Sequence, residues 1–292
     1  LALKKLVIFG VGLIGGSVAL ALKKAGQNTH IVGVGKSEKS LNEALKLGVI
    51  DESFNALKAN IHAACTDVDL ILIAAPVAQT KSILQSIKPH LNTNTVVTDA
   101  GSTKGDVLAV AREILGTQFS QFVGGHPIAG AEKSGVVAAK KDLFTGKNVV
   151  LTPALETNRD AVASVADLWQ KCGANVTEMT AETHDSIFAA VSHLPHLLAF
   201  ALVDDIASRQ NATQLFSFAA SGFRDFTRIA GSSPEMWRDI SLANKTALLS
   251  EISAFENELM LLKQLLNNED AVGLQALFER ASVARNNWNK SQ

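Results

Sequence analysis

The sequence contains no tyrosine among its 292 residues, although phenylalanine occurs thirteen times. Any mechanism that needs a phenol as acid or base is excluded, including the tyrosine–lysine pair of short-chain dehydrogenases. Cysteine is scarce as well. Cys65 and Cys172 are too few for a disulfide framework or a cysteine-ligated zinc site, and a reducing, cytoplasmic setting is the expectation. Neither charge predominates. Twenty-seven basic residues face 28 acidic ones for a net charge of -1, and the basic side chains form no run, so no nucleic-acid surface is expected. No stretch of about 18 uninterrupted apolar residues is present to span a bilayer, and no membrane association is expected. What remains is a globular balance, 47% apolar and 19% charged. The length suits two domains or one large one.

Short apolar runs recur at residues 6–9, 31–34, 70–73, 95–98, 122–124 and 148–151, of the kind buried on both faces of a parallel sheet. Helix-like stretches at 16–24, 38–47 and 80–87 lie between them. This α/β alternation predicts a Rossmann-like, doubly wound parallel sheet over residues 1–180, closing with a helix near 161–172 and a strand near 176–179. Beyond Thr180 the periodicity is helical, predicting an all-α domain over 181–292. Ser233-Pro234-Glu235 reads as a capped helix start. The helix it opens is expected to run to Asn267, roughly 33 residues and near 50 Å at about 1.5 Å per residue. Its apolar positions, among them Leu248, Ile252, Phe255, Leu259, Leu262 and Leu266, recur at three and four residues. Such a face packs either within a bundle or against a second copy.

Directly after the first run comes Gly10-Val11-Gly12-Leu13-Ile14-Gly15-Gly16-Ser17. This is GxGxxG between a strand and a helix, the context in which glycines admit a pyrophosphate to a helix N-terminus. Gly10, Gly12, Leu13, Ile14 and Gly15 are the candidate contacts. At the end of the second strand, where an acid commonly binds the NAD ribose, stand Gly35, Lys36 and Ser37. A lysine and a hydroxyl suit a 2′-phosphate, which leans the reading of an NAD(P)+ site toward NADP. A P-loop reading of the same residues fails because it requires glycine at His30. Ala75-Pro76 and Asp99-Ala100-Gly101-Ser102-Thr103-Lys104 follow further strands, at the carboxyl edge where open parallel sheets bind ligands.

The next strand end carries Gly124-Gly125-His126-Pro127. A histidine between glycine and proline is expected on a loop, where its imidazole can act as general base for a hydroxyl proton or be an ordinary surface residue. In the helical part, Ser192-His193-Leu194-Pro195-His196 places two histidines one turn apart. Pro195 frees the carbonyl of Val191 and should kink the helix. A metal site lacks an organised third ligand, so no metal is expected, and substrate binding or a kink-stabilising hydrogen bond is the preferred role. Arg224-Asp225-Phe226-Thr227-Arg228 offers Arg228 as a bidentate carboxylate grip with Asp225 as orienter, or a structural ion pair.

Taken in order, the 10–17 turn, 99–104, 125–135, 192–196 and 222–239 resemble the prephenate/arogenate (cyclohexadienyl) dehydrogenase family over nearly the whole length. The resemblance implies a nucleotide domain followed by a helical dimerisation domain, hence a homodimer. It implies oxidative decarboxylation of prephenate to 4-hydroxyphenylpyruvate, or of arogenate to tyrosine, in tyrosine biosynthesis. It assigns His126 as acceptor of the C4 hydroxyl proton and Ser102 as hydrogen-bonded to that histidine or hydroxyl. Arg228 and His196 would bind substrate, Glu132 would gate or join a polar network, and Trp237 would set conformation. Two departures accompany it: the missing acid after the second strand, and Ala131 where some members carry a hydroxyl. With no mutase segment before residue 1 and no regulatory segment after Gln292, feedback control is expected to act as product competition at the Arg228 site. A β-hydroxyacid dehydrogenase would need a lysine in the 192–196 helix, where histidines stand, and a dinucleotide-sensing protein would need no base.

Overall fold

The structure, a computed structural model, describes residues 3–57, 61–131 and 133–290 and separates into two compact units, one ending at Asn244 and the other starting at Lys245. Among the described residues of the first unit, eight strands form one sheet. They are β1 (Lys5–Phe9), β2 (His30–Gly35), β3 (Glu52–Asn55), β4 (Leu70–Ile73), β5 (Val96–Asp99), β6 (Phe122–Pro127), β7 (Asn148–Thr152) and β8 (Asn175–Glu178), in the order β3-β2-β1-β4-β5-β6-β7-β8. Helices α1 (Leu13–Lys24), α2 (Glu38–Lys46), α3 (Ile61–Cys65), α4 (Thr80–Ile87), α5 (Gly105–Leu115) and α6 (Arg159–Lys171) connect them. Alternate side chains of β1 serve two cores. Leu6 and Ile8 pack with Val18, Leu22 and Trp169 of α1 and α6, whereas Val7 and Phe9 pack with Leu84, Val107 and Ala111 of α4 and α5. A strand covered on both faces reads as a continuous apolar run, which is why these segments were visible in the sequence.

The sheet is not parallel throughout. β6 pairs parallel with β5 through Phe122 and Val123, then antiparallel with β7 from Gly124 to Pro127, and β8 runs parallel to β7. Adding β7 in parallel would need a crossover element, but among its described residues the 128–147 connection holds only a 3₁₀ turn, Val136–Ala138. His126 consequently lies on a strand, opposite Val150, rather than on the expected loop. Pro127 fits there because β6 has run past its pairing with β5, which ends at Val123, so the missing amide lies on an edge with no partner strand.

The chain continues as α7 (Ala181–Phe188), a π-helical turn (Ala189–His193), α8 (Leu194–Ala207), α9 (Ala212–Ser217), α10 (Ser221–Thr227) and α11 (Pro234–Ala243). The distortion expected from Pro195 takes the form of the wide turn just before α8. The carbonyl captured there is that of Ser192, not Val191, and it lies 2.8 Å from His196 Nδ1. Length and composition make the helical run Ala181–Ala207 sufficient to cross a bilayer, with a mean hydropathy of 1.7, a possibility that uninterrupted apolar runs did not show. That run nonetheless carries His184, Asp185 and His193, whose polar bonds, described below, tie it into the rest of the first unit.

The single helix expected from Glu235 to Asn267 is interrupted. α11 ends at Asn244, whose backbone leaves the helix (φ -102°, ψ 30°) and whose buried side-chain amide donates to the carbonyl of Asp185 at 2.8 Å and lies 3.1 Å from His193 Nδ1. A side chain that bonds to other backbone and ring groups competes with helix continuation. The second unit comprises α12 (Lys245–Asn267) and α13 (Ala271–Lys290).

Candidate active site

The strand order reverses direction between β1 and β4, and the crevice at the carboxyl end of such a switch point is where doubly wound sheets take ligands. Two glycines make that crevice. Gly10 has φ +93°, and a Cβ on it would sit 2.6 Å from the carbonyl oxygen of Ala74; one on Gly15 would sit 2.3 Å from the carbonyl of Gly10. Gly12, by contrast, faces open space and caps α1 without a side chain. The leading amides of α1, from Leu13 to Gly15, are thus offered to an anion at a helix N-terminus. Beside this turn, Gly10, Gly12, Gly35, Lys36, Ser37, Ala75 and Pro76 line a cleft of about 300 Å³. Lys36 is exposed, while the Ser37 hydroxyl caps α2 by accepting the Ser40 amide at 3.3 Å.

Asp99 departs from its expected place among the cofactor contacts. Its carboxylate is buried, pairs with the fully buried ammonium of Lys104, and accepts the amides of Gly101 at 2.8 Å and Gly125 at 3.1 Å. It braces the end of β5 against β6 and does not face the cleft. Ser102 sits between these anchors, partly buried, but the expected bond to His126 is not formed among the described residues.

His126 instead meets His184. The His126 Nδ1 and His184 Nε2 atoms are 2.8 Å apart, and His184 Nδ1 is 2.8 Å from Asp185 Oδ1. Phe188, one turn on along α7, packs edge-on against the His126 ring at 4.9 Å between centroids. The carboxylate of Asp185 also accepts the amides of Lys104 at 2.9 Å and Gly105 at 2.8 Å, capping α5 from across the chain. Burial holds the His126 imidazole well below its ordinary pKa, and nearby His184, Lys104 and His193 add to the effect. His184 is also lowered by burial, against an opposing pull from Asp185. Burial alone would raise the Asp185 carboxyl, but its bonds to His184 and the two amides outweigh that and keep it below the usual carboxylate value.

The second histidine pair occupies the neighbouring wall. His193 is buried and held by Asn244, and burial depresses its pKa to about 4. His196 stacks on Trp237 with ring centroids 3.6 Å apart and planes at 21°. Burial lowers its pKa, and Arg228 lies near enough to lower it further. Arg228 opens a 3₁₀ turn, Arg228–Gly231, after α10; it and Asp225 are exposed. Glu132 lies outside the described residues. Among the described residues no cluster of three metal-ligating side chains occurs. The sequence assigns no role to His184, Asp185 or Asn244. The one available signal was the adjacent histidine and acid in the first turns of a helix capped by Thr180.

A dinucleotide crevice with a partly buried imidazole farther along the same sheet edge defines a nicotinamide-dependent oxidoreductase with a helical C-terminal part. Residues 18–178 match the family described as "Prephenate dehydrogenase, nucleotide-binding domain", and residues 180–280 match "Prephenate dehydrogenase, dimerization domain". The chain is 40% identical to a prephenate dehydrogenase of Bacillus subtilis over 96% of this chain and 75% of that one. It is 32% identical to a cyclohexadienyl dehydrogenase of Zymomonas mobilis over 97% and 95% of the respective lengths. The structure of prephenate dehydrogenase from Aquifex aeolicus, in complex with hydroxyphenyl propionate and NAD+, superposes with a TM-score of 0.92 at 38% identity, covering 98% of each chain. The chain belongs to the prephenate dehydrogenase family.

Proposed function

We propose that this chain catalyses the oxidative decarboxylation of prephenate to 4-hydroxyphenylpyruvate with a nicotinamide dinucleotide. The observation that carries the proposal is His126, held on the part of β6 that runs past its pairing with β5, at the carboxyl edge that also bears the glycine turn. The open space at Gly12, the uncapped start of α1 and the cleft beside them fit a dinucleotide, held by the 10–15 turn, Gly35, Lys36, Ala75 and Pro76. When bound, the nicotinamide supplies the hydride acceptor. His126 takes the C4 hydroxyl proton as the hydride leaves, and a neutral imidazole, favoured by its burial, is the form that can do so. As carbon dioxide departs and the ring becomes aromatic, the same imidazolium can return that proton to the phenolate oxygen, so no net proton is consumed. Ser102, which forms no bond to His126 among the described residues, is read as the partner of the substrate hydroxyl. Arg228 grips a carboxylate beside His196, whose ring is fixed by Trp237.

The exposed Lys36 at the end of β2, with no acid there, supports use of NADP alongside or in preference to NAD. Absorbance at 340 nm, followed with prephenate or arogenate and each dinucleotide, tests both readings. Reduction with prephenate is expected, faster with NADP+ at limiting cofactor; no reduction with either substrate overturns the activity. Lys36→Asp should move the NADP/NAD ratio of kcat/KM downward by roughly tenfold or more, and an unmoved ratio places the lysine outside cofactor choice.

A further inference from the structure

We infer that His184 and Asp185 are positioning residues that fix His126 in the tautomer with its proton on Nδ1 and its lone pair on Nε2. The inference rests on the reading of His126 as the base and adds what holds it ready. It follows from donor and acceptor bookkeeping along one chain of contacts. Asp185 accepts two backbone amides, from Lys104 and Gly105, and is therefore a carboxylate with acceptor capacity only. His184 Nδ1, 2.8 Å from Asp185 Oδ1, must then carry a proton. A neutral imidazole has one N–H, so His184 Nε2 is an acceptor, and the His126 Nδ1 at 2.8 Å must be the donor. Nε2 of His126, which no described residue takes, is left with the lone pair that a general base requires.

The competing arrangement has His184 doubly protonated, so that His126 Nδ1 accepts and Nε2 carries a hydrogen, leaving no base. It would place a cation on a ring that is fully buried, a position that penalises charge. The other groups facing the pair are Lys104, at the start of α5, and His193, both of which oppose further positive charge, and Asp99, already paired with Lys104. Asp185 is thus the carboxylate available to balance the imidazolium that forms when His126 takes a proton, acting through His184.

The free wild-type protein, labelled with ¹⁵N in its imidazoles, tests the tautomer without substrate. Above the histidine titration range, long-range ¹H–¹⁵N correlation should show His126, assigned by its loss in His126→Asn, with Nδ1 protonated and Nε2 bare. A protonated Nε2 overturns the inference. Asp185→Asn supplies the second reading: with its NH2 in place of the oxygen that now serves both Lys104 N and His184 Nδ1, it gives up the Lys104 bond, donates to His184 Nδ1 and reverses both rings. His126 should then appear protonated on Nε2, with kcat lowered roughly 10²–10⁴-fold, KM for prephenate changed little, and activity partly regained at high pH. An unchanged tautomer with unchanged kcat overturns the inference. If the loss of the α5 cap unfolds that variant, His184→Asn leaves the cap in place. It should give a mixture of His126 tautomers and a lower kcat, and retention of the pure Nδ1 form counts against the relay. A wild type that reduces no dinucleotide with prephenate but shows the Nδ1 tautomer would sink the proposed activity and leave the positioning role standing. The reverse outcome would sink the relay alone.

Discussion

At the scale of single residues, the most demanding contact is the pair of Lys104 and Asp99. Both side chains are out of water, and the carboxylate also holds the amides of Gly101 and Gly125, the backbone on either side of the site. A buried pair adds little net stability over an apolar replacement, but removing one partner leaves the other charged and unsolvated. Lys104→Met should therefore destabilise the fold by about 3–5 kcal/mol in urea unfolding. Asp99→Asn combined with Lys104→Met should recover a large part of that loss. Equal destabilisation by the single and double variants would mean that packing of the lysine stem, not its charge, matters there. Asp99 also marks where sequence reading stopped. Its position at a strand end was legible from the apolar run before it, but whether a dinucleotide, an amide or a lysine claims the carboxylate depends on β6 lying alongside. Local sequence does not carry that information. His126 was legible as a candidate for the opposite reason: a histidine flanked by Gly125 and Pro127 stands out in any register, although its neighbours suggest a loop and it lies on a strand.

At the scale of elements, α7, the π turn and α8 present His184, His193 and His196 to the rest of the first unit, and each is lowered below its ordinary value with burial as the main cause. A histidine whose pKa falls on folding binds protons more readily in the unfolded chain. Stability is fully present above the unfolded value and is lost as pH falls through the folded one. For His193 the window runs from 6.5 down to about 4, and His126 and His184 act in the same direction. Thermal unfolding should shift to lower temperature across that interval. A His193→Gln variant, uncharged at every pH, should show a shallower decline, and a decline identical to wild type would remove His193 as a contributor. Helix limits such as Thr80–Ile87 were legible because apolar periodicity is local. The break at Asn244 was not, since asparagine there is directed by His193 and the Asp185 carbonyl, both more than 50 positions away in sequence.

At the scale of the whole molecule, apolar positions of α12 and α13 stay exposed in the single chain. Leu259, Met260 and Leu266 on α12 and Phe278 and Val283 on α13 are each at least half exposed. The sequence had left this face with two destinations, a bundle or a second copy, because the spacing of apolar residues is the same for both. The region falls largely within the match to the dimerization domain of the family, which supports the second. Apolar side chains left in water are unfavourable, and closed two-fold pairing is the commonest way for an oligomer to cover them. The protein is expected to sediment as a homodimer at micromolar concentration. Paired substitutions Leu259→Glu and Phe278→Glu should convert it to monomer while leaving the Trp169 and Phe144 core of the sheet unit folded. The checks are sedimentation velocity for mass and near-ultraviolet circular dichroism for that core, whose rings meet edge-on at 5.1 Å. A wild type that sediments as a monomer would assign the exposed face to some other occupant. A dimer that survives both substitutions would place the pairing surface elsewhere on the chain.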